Sequence, residues 1–152
     1  MALRVGIGYD SHRLTDGGRL VIGGVEIEHA KGLTGHSDAD VLTHALIDAL
    51  LGSCGLGDLG GLFPPDDEQW RDADSLDLLR IVVGKLPGRP VNADATVICE
   101  EPRLGPHRAQ MEQILGEAIS APVSVKASTN EGMGAIGRGE GIACMAVALV
   151  ET

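Results

Sequence analysis

The nine residues at positions 142–150 are all apolar, and this run constrains the fold more than any other segment. An apolar run of this length is typical of a central β-strand that is covered on both of its faces. The rest of the chain must therefore supply neighbouring strands and a layer of helices. The run predicts a helix-on-sheet architecture.

Three more segments predict strands, and another predicts a hairpin. From Leu3 to Tyr9, apolar residues alternate with glycine or polar residues, which indicates a strand with one apolar face. Residues 93–99 and 123–127 have the composition of further strands. The β-rich pieces on either side of Gly23 and Gly24 indicate a tight turn. We therefore expect a mixed four-stranded central sheet and a small, peripheral N-terminal hairpin.

Helical periodicity separates these strands. Apolar residues recur at helical spacing over positions 41–50, with Ser37 as the expected N-cap. Asp74 is expected to cap a second helix over residues 76–86, and a third helix is expected to begin at Pro106. This order of elements predicts one α+β domain over residues 1–152, with the helices packed on one face of the sheet.

Composition narrows the range of partners. Because the formal net charge is −10, we expect no attraction to nucleic acid or to an anionic membrane surface. No apolar run reaches the roughly 18 residues of a membrane span, so a cytoplasmic protein with free thiols at Cys54, Cys99 and Cys144 is expected. The chain has 22 glycines but one residue each of Trp, Tyr and Phe, and such a thin core favours an oligomer.

Asp10, His12 and His44 are the strongest candidates for a metal site. Asp10 and His12 are two residues apart and point to the same side of an extended strand, while His44 lies in the first predicted helix. Two imidazoles and one carboxylate, with a fourth position open, are a ligand set of catalytic zinc. Spacing alone leaves open the alternative that Asp10 caps a turn and both histidines are surface residues.

Other polar groups surround these candidates. Asp40 and Asp48 lie four residues on either side of His44, where a carboxylate is placed to orient its ring. His36 and Ser37 precede the helix. They either cap it or lie beside its unpaired backbone N–H groups and, together with them, bind a phosphate.

A glycine-rich stretch follows the strand that carries Lys126. Gly132, Gly134 and Gly137 have the spacing of a dinucleotide-binding fingerprint, but an apolar strand rather than a helix follows them. That order excludes a dinucleotide site. The loop around Arg138 is instead suited to the close approach of a phosphate or of another subunit.

Four motifs together resemble the 2-C-methyl-D-erythritol 2,4-cyclodiphosphate synthase family nearly from end to end: GYDSHRL from Gly8, GLTGHSDADVLTHALIDALLG from Gly32, GLGDLG from Gly55 and GRGEGIACMAVALV from Gly137. The resemblance implies an enzyme of the non-mevalonate isoprenoid pathway. It would convert 4-diphosphocytidyl-2-C-methyl-D-erythritol 2-phosphate into the cyclic diphosphate and release CMP, as a cyclising phosphorus–oxygen lyase. A homotrimer with active sites between subunits is also implied, and in this family isoprenoid diphosphates are associated with the central cavity.

The resemblance also implies roles for single residues. It implies one zinc ion per active site on Asp10, His12 and His44, and a magnesium or manganese ion on the substrate diphosphate near Glu131. His36 and Thr129 match the pair that stabilises the transition state. The expected substrate-binding residues form a ribose-binding turn, a mobile loop, a cytidine-binding stretch and several polar positions: Ser11, Ser37, Asp58, Leu59, Gly60, Phe63, Asp66, Asp67, Cys99, Glu101, Pro102, Arg103, Leu104, Lys126, Ser128, Asn130 and Arg138.

The sequence departs from the family pattern at four positions. Pro65 replaces an aspartate, Ala39 a glycine, Arg103 a lysine and Ala135 a phenylalanine. The smaller Ala135 argues against an isoprenoid diphosphate in the trimer cavity. Two alternatives remain: a trimer that binds the nucleotide without turnover, and a metal-dependent phosphohydrolase with linear products.

Overall fold

The computed structural model describes residues 1–35 and 37–152. Within these residues the regular elements follow one another in the order β1 (Leu3–Asp16), β2 (Leu20–Ile22), β3 (Val25–Ile27), β4 (Lys31–Thr34), α1 (Val41–Ser53), α2 (Leu59–Leu62), α3 (Ser75–Lys85), β5 (Arg89–Ile98), α4 (Arg108–Ile119), β6 (Val123–Ser128), α5 (Gly134–Gly137) and β7 (Gly141–Glu151). The result is one α+β domain.

The central sheet has the strand order β4-β1-β7-β5-β6. β7 pairs antiparallel with both β1 and β5, and β5 pairs parallel with β6, so the predicted mixed sheet with residues 142–150 at its centre is confirmed. The prediction of four strands is wrong, because β4 adds a fifth. This short edge strand pairs with the last residues of β1, Arg13 to Asp16, and has no apolar alternation of its own to indicate it.

The β2–β3 hairpin is confirmed, but it is not peripheral. Leu20, Ile22, Val25 and Ile27 are all buried in the core. The carboxylate of Asp40 accepts the backbone N–H groups of Gly23 and Gly24, both at 2.8 Å, and so ties the hairpin turn to the start of α1. Burial of these branched side chains drives the hairpin inward.

Two glycines allow α1 to lie directly on β1. A Cβ atom at Gly6 would lie 1.9 Å from the carbonyl oxygen of Ala49, and one at Gly8 would lie 1.9 Å from that of Ala45. Any side chain at either position would therefore push the helix away. The alternation in β1 thus places glycines toward α1 and apolar side chains on the opposite face.

The helices cover one face of the sheet, as expected. α1 packs on β1 and β7, α4 packs on β6, and α3 packs on both helices. On the other face the apolar side chains of β1 and β7 are exposed, including Ile7 at 71% and Val147 at 45%. The prediction that β7 is covered on both faces is therefore wrong for a single chain.

The helix starts agree only in part with the sequence. α1 begins at Val41, and its N-cap is Asp40, which accepts the backbone N–H of Thr43 at 3.0 Å; Ser37 lies outside the helix. Asp74 caps α3 as predicted. A single turn of 3₁₀-helix, Gly105–His107, precedes α4.

No helix in residues 1–35 or 37–152 has the length and apolar character needed to cross a membrane.

Candidate functional site

β1 and α1 bring Asp10, His12 and His44 together. The Oδ2 atom of Asp10 lies 2.7 Å from His12 Nε2 and 3.2 Å from His44 Nδ1, and the two ring nitrogens are 3.2 Å apart. A tetrahedral ion with bonds of about 2.0–2.1 Å needs ligand atoms about 3.3 Å apart. Two of the three separations already approach that value. The donor set and its spacing therefore fit zinc.

Both histidines have an outer hydrogen-bond partner that leaves one nitrogen for the cluster. His12 Nδ1 lies 3.2 Å from the carbonyl oxygen of Thr34, which can only accept, so the proton of a neutral His12 ring lies on Nδ1. His44 Nε2 lies 2.8 Å from Ser75 Oγ and 3.0 Å from Ser37 Oγ. Partners of this kind set the tautomer and the ring orientation of metal-binding histidines.

The electrostatics of the cluster keep a negative charge at Asp10. Burial alone would raise the pKa of Asp10, but hydrogen bonds and charge from His12 and His44 outweigh burial and lower it. Burial would lower the pKa of His12, whereas its hydrogen bond to Asp10 raises it overall. The site therefore favours positive charge beside the carboxylate.

A cavity of about 270 Å³ opens onto this cluster. Apart from the three candidate ligands, its lining residues come from the chain before α1, α2, the segment after α2, and α3: Ser37, Leu59, Gly60, Phe63, Pro65, Trp70 and Leu78. Leu59 and Gly60 of the predicted ribose-binding turn, and Phe63 and Pro65 of the predicted mobile loop, thus lie over the metal candidates.

The chain over the metal candidates, residues 58–70 and here called the covering segment, is anchored at its start and packed against itself. Asp58 caps α2 by accepting the N–H of Gly61 at 2.8 Å, and Asp48 accepts the N–H of Leu59 at 2.7 Å. Phe63 packs edge-on against Trp70, with their ring centroids 4.8 Å apart. Asp48 therefore fixes the covering segment to α1. In the described part of the chain Asp48 makes no hydrogen bond to His44, the ring that it was expected to orient.

A second cavity, of about 950 Å³, lies at the C-terminal ends of the parallel strands β5 and β6. Its lining contains seven of the predicted substrate-binding or catalytic positions: Cys99, Glu101, Pro102, Arg103, Leu104, Ser128 and Thr129. The structure therefore brings the predicted cytidine-binding stretch together as one pocket.

The two cavities share no lining residue among the described positions. Ser11, between the metal candidates Asp10 and His12, is connected to Ser128 of the larger cavity by a row of paired residues that runs across the strands. In this row Ser11 pairs with Ala143, Ala143 with Ile98, and Ile98 with Ser128. Three inter-strand spacings of about 4.8 Å separate the ends of this row by about 14 Å.

The Thr129–Glu131 loop is held by Glu100, which lies within the predicted cytidine-binding stretch, residues 99–105, although the sequence did not indicate this contact. Glu100 accepts the backbone N–H of Asn130 at 2.7 Å and that of Gly132 at 2.9 Å. Glu131 lies between them with a positive φ of 55°, and its N–H donates to Thr129 Oγ1 at 3.2 Å. The Glu131 side chain is exposed and is not part of the Asp10 cluster.

Several predicted residues lie apart from both cavities. Ser11 alternates with Asp10 and His12 and so faces the other side of the sheet. The ammonium group of Lys126 lies 2.5 Å from Asp94, and Arg138 pairs with Glu140 at 2.7 Å.

Three further predicted positions also line neither cavity. Asp66 and Asp67 lie in the covering segment without lining the metal cavity, and the side-chain amide of Asn130 donates to the carbonyl oxygen of Met133. His36 lies outside the described residues.

Asp40 binds His44 only through the backbone, where its carbonyl accepts the His44 N–H at 3.0 Å; within the described residues its carboxylate makes no hydrogen bond to the ring, so the orienting role predicted from helical spacing is wrong. Its carboxylate is fully buried and accepts from Gly23, Gly24 and Thr43. The side chains that reach His44 Nε2 are Ser37 and Ser75, and Ser75 links the ring to Asp38. Ser75 is 31 positions from His44 in sequence, so no local spacing could reveal the contact.

Comparison with known proteins places the chain in a family. Residues 3–151 match the YgbB family. A relative from Symbiobacterium thermophilum, named 2-C-methyl-D-erythritol 2,4-cyclodiphosphate synthase, is 56% identical over 152 residues, which is 96% of this chain and 97% of the relative.

Solved structures with the same fold cover nearly the whole chain. The synthase from Plasmodium vivax has a TM-score of 0.83 at 32% identity, covering 99% of this chain and 98% of its own. A synthase described as a CDP-bound form has a TM-score of 0.88 at 35% identity, covering 97% of this chain and 100% of its own. The chain therefore belongs to the YgbB family, in which the similar curated proteins are named 2-C-methyl-D-erythritol 2,4-cyclodiphosphate synthase.

Proposed function

We propose that this chain is a 2-C-methyl-D-erythritol 2,4-cyclodiphosphate synthase. It converts 4-diphosphocytidyl-2-C-methyl-D-erythritol 2-phosphate into the cyclic diphosphate and CMP, as a cyclising lyase of isoprenoid precursor synthesis by the non-mevalonate pathway. The observation that carries the proposal is the Asp10, His12 and His44 cluster beneath a covering segment, in a chain that matches curated synthases along its whole length.

The reaction is an intramolecular phosphoryl transfer. The 2-phosphate attacks the β-phosphorus of the diphosphate, and CMP leaves with the electrons of the broken P–O bond. Because the nucleophile is already an anion, the reaction needs charge neutralisation and in-line alignment more than a strong base. Zinc on Asp10, His12 and His44, with magnesium or manganese near Glu131, would supply positive charge as Lewis acids.

The protein's own groups align the substrate and exclude water. Phe63 and Leu59 present apolar surface over the cluster, and the Asp48 and Asp58 hydrogen bonds hold that surface in place. Arg103 lines the larger cavity, where its guanidinium matches a diphosphate. The Thr129 hydroxyl lies at the same cavity and is a hydrogen-bond donor for a phosphate oxygen.

We further propose that each active site is built by two subunits of a homotrimer. Two observations support this arrangement: the metal cavity and the larger cavity of one chain share no described lining residue, and the uncovered sheet face exposes Leu3, Val5, Ile7, Met145 and Val147. Burying such a face stabilises an oligomer by roughly 25 cal/mol per Å² of apolar surface. The nucleotide would then lie in one subunit's larger cavity and reach the neighbour's metal cavity.

Product identity tests the proposed reaction. Purified protein with zinc and magnesium is incubated with the CDP-linked 2-phosphate substrate, and products are followed by phosphorus NMR and by CMP release. We expect stoichiometric CMP and a cyclic diphosphate. A linear product would identify a phosphohydrolase, and calorimetric binding without any product would identify a nucleotide-binding protein without turnover.

A further inference from the structure

We propose that Ser75 and Asp38 form a hydrogen-bonded relay that keeps the proton of His44 on Nε2 and thereby leaves Nδ1 free for the metal. The relay consists of His44, Ser75 and Asp38, in that order from the metal outward. Ser75 and Asp38 are positioning residues, since they act on the site only through His44. The inference rests on the proposed function only in taking Asp10, His12 and His44 as metal ligands.

The relay joins α1, the start of α3 and the segment before α1; His44 and Ser75 are buried, and Asp38 is half-buried. His44 Nε2 lies 2.8 Å from Ser75 Oγ, and Ser75, the first residue of α3, is fully buried. The Ser75 hydroxyl is also hydrogen-bonded to Asp38 Oδ1, and the Ser75 backbone N–H donates to Asp38 Oδ2 at 3.0 Å. Asp38 thus holds Ser75 through both its side chain and its backbone.

The direction of these hydrogen bonds follows from what each group can donate. Asp38 accepts the backbone N–H groups of Asp40, at 3.2 Å, and of Ser75, and an ionised carboxylate can only accept. The Ser75 hydroxyl must therefore donate its single proton to Asp38. Its oxygen is then an acceptor, so the proton of a neutral His44 ring lies on Nε2.

The consequence is a convergence of lone pairs at the candidate metal site. In this neutral tautomer His44 Nδ1 carries a lone pair directed at the atoms that lie 3.2 Å away, Asp10 Oδ2 and His12 Nε2, and Nδ1 donates to Asp10 only when the ring is charged. The Thr34 carbonyl imposes the same orientation on His12 through its Nδ1 proton. Three lone pairs held together in a part-buried site repel one another unless a cation lies among them. The relay therefore raises affinity for a cation before any substrate binds.

Ser37 offers a competing explanation that the test must separate. Its Oγ lies 3.0 Å from His44 Nε2, yet Ser37 is only half-buried, and its side chain lines the metal cavity. A hydroxyl that is free to rotate can donate or accept, so Ser37 does not fix the tautomer as a carboxylate-linked hydroxyl does. Ser37→Ala is therefore expected to keep the His44 tautomer.

Zinc affinity and the His44 tautomer are the readouts, and neither depends on turnover. Zinc dissociation constants are measured by chelator competition for wild type, Ser75→Ala, Asp38→Asn and Asp74→Asn. We expect Ser75→Ala and Asp38→Asn each to weaken zinc binding about 10- to 100-fold. Asp74→Asn is the matched control, because Asp74 caps the same helix through Leu76 N at 2.9 Å. Its zinc affinity should stay within about twofold of wild type.

The tautomer is read from nitrogen-15 imidazole shifts of the metal-free protein at a pH where His44 is neutral. Wild type should show His44 protonated at Nε2. In Asp38→Asn the new carboxamide can donate to Ser75 Oγ, so the hydroxyl can turn toward His44 and a protonated Nδ1 should appear. A double variant, Ser75→Ala with Asp38→Asn, should lose little more zinc affinity than Ser75→Ala alone.

Wild-type zinc affinity in both Ser75→Ala and Asp38→Asn, with the Nε2 proton retained, would overturn the relay. If Asp38→Asn does not fold, Ser75→Ala decides the matter, because its backbone N–H still binds Asp38. A wild-type protein that binds zinc through this relay but forms no cyclic product would contradict the proposed function and leave the relay standing.

Discussion

The α-carbon of Gly8 in β1 lies so close to α1 that a Cβ atom there would be 1.9 Å from the carbonyl oxygen of Ala45. Ala45 follows His44 in the helix, and Gly8 precedes Asp10 by two positions on the same face of the strand. One close approach between backbones therefore sets the separation of two proposed metal ligands.

Gly8→Ala should damage stability and metal binding together. The added methyl group has to displace α1 from β1, which we expect to lower the free energy of unfolding by about 1–3 kcal/mol and zinc affinity at least about tenfold. Gly84→Ala in α3 is the control, because a Cβ atom there meets nothing within 4 Å. It should leave zinc affinity unchanged, and an equal loss in both variants would contradict the link.

Glu100→Gln should slow the reaction more than it destabilises the fold. The carboxylate accepts two backbone N–H groups that flank Glu131, whereas an amide retains one accepting oxygen and places an NH₂ group against the other N–H. We expect CMP release to slow about 10- to 100-fold, in line with about 1.5–3 kcal/mol for a hydrogen bond to a charged group.

Glu112→Gln is the matched control for Glu100. Its carboxylate accepts the backbone N–H of Val125 at 2.9 Å, near the other end of β6. Melting temperatures and CMP release are measured for both variants. Similar slowing of CMP release in the two would show that general loosening of β6, rather than the Thr129–Glu131 loop, is responsible.

Ile7→Glu should dissociate the proposed trimer. The side chain lies in the middle of the uncovered sheet face and is 71% exposed in the single chain, so a charge there would have to be buried on assembly. Sedimentation velocity should show a trimer for wild type and monomers for this variant. Ile81→Glu, on α3 and 38% exposed, should remain trimeric; a trimer of Ile7→Glu would place the interface elsewhere.

Cys99 and Cys144 should resist thiol reagents in the folded protein. Burial and then the charge of Glu100 raise the pKa of Cys99 to about 11, and burial raises that of Cys144. Because the thiolate is the reactive form, Ellman's reagent at pH 8 should modify only the half-buried Cys54. Three equivalents should react in denaturant, and fast native labelling in a Cys54→Ser variant would contradict this account.

The same shifts predict that alkaline solution destabilises the fold. Between the usual thiol pKa of 9.0 and the value of about 11 for Cys99, the unfolded chain loses a proton that the folded chain keeps. The unfolded state therefore gains relative stability as pH rises through this range. The urea midpoint should fall from pH 9 to pH 11, and it should fall less for Cys99→Ala.

Local periodicity predicted the sheet and the pairing of Asp10 with His12. It did not predict that His44 joins them, 34 residues away in sequence, which only the family resemblance implied. The apolar run at 142–150 identified the central strand, and the two-residue spacing of Asp10 and His12 held because β1 continues extended to Asp16. β4 was missed because its four residues have no strand pattern of their own. They are extended only because they pair with the end of β1 at the edge of the sheet. The exposed face of β7 was missed because an all-apolar run does not reveal that the helices of the chain cover only one face of the sheet.

The support of His44 was not predictable from spacing. Asp40 lies four residues before His44, but as the N-cap it has an extended backbone, with ψ of 94°, and its carboxylate turns to the hairpin and to Thr43. Ser75 reaches His44 only because α3 packs on α1. Such contacts come from tertiary packing, which a single sequence does not display.

The rate of CMP release by His44→Ala tests the central claim most directly. His44 joins the proposed zinc site to the relay, and it is separate from the larger cavity. With zinc and magnesium present, the variant should bind CDP within a few-fold of wild type by calorimetry, yet release CMP at least about a hundredfold more slowly. CMP release at the wild-type rate from folded His44→Ala would contradict the account.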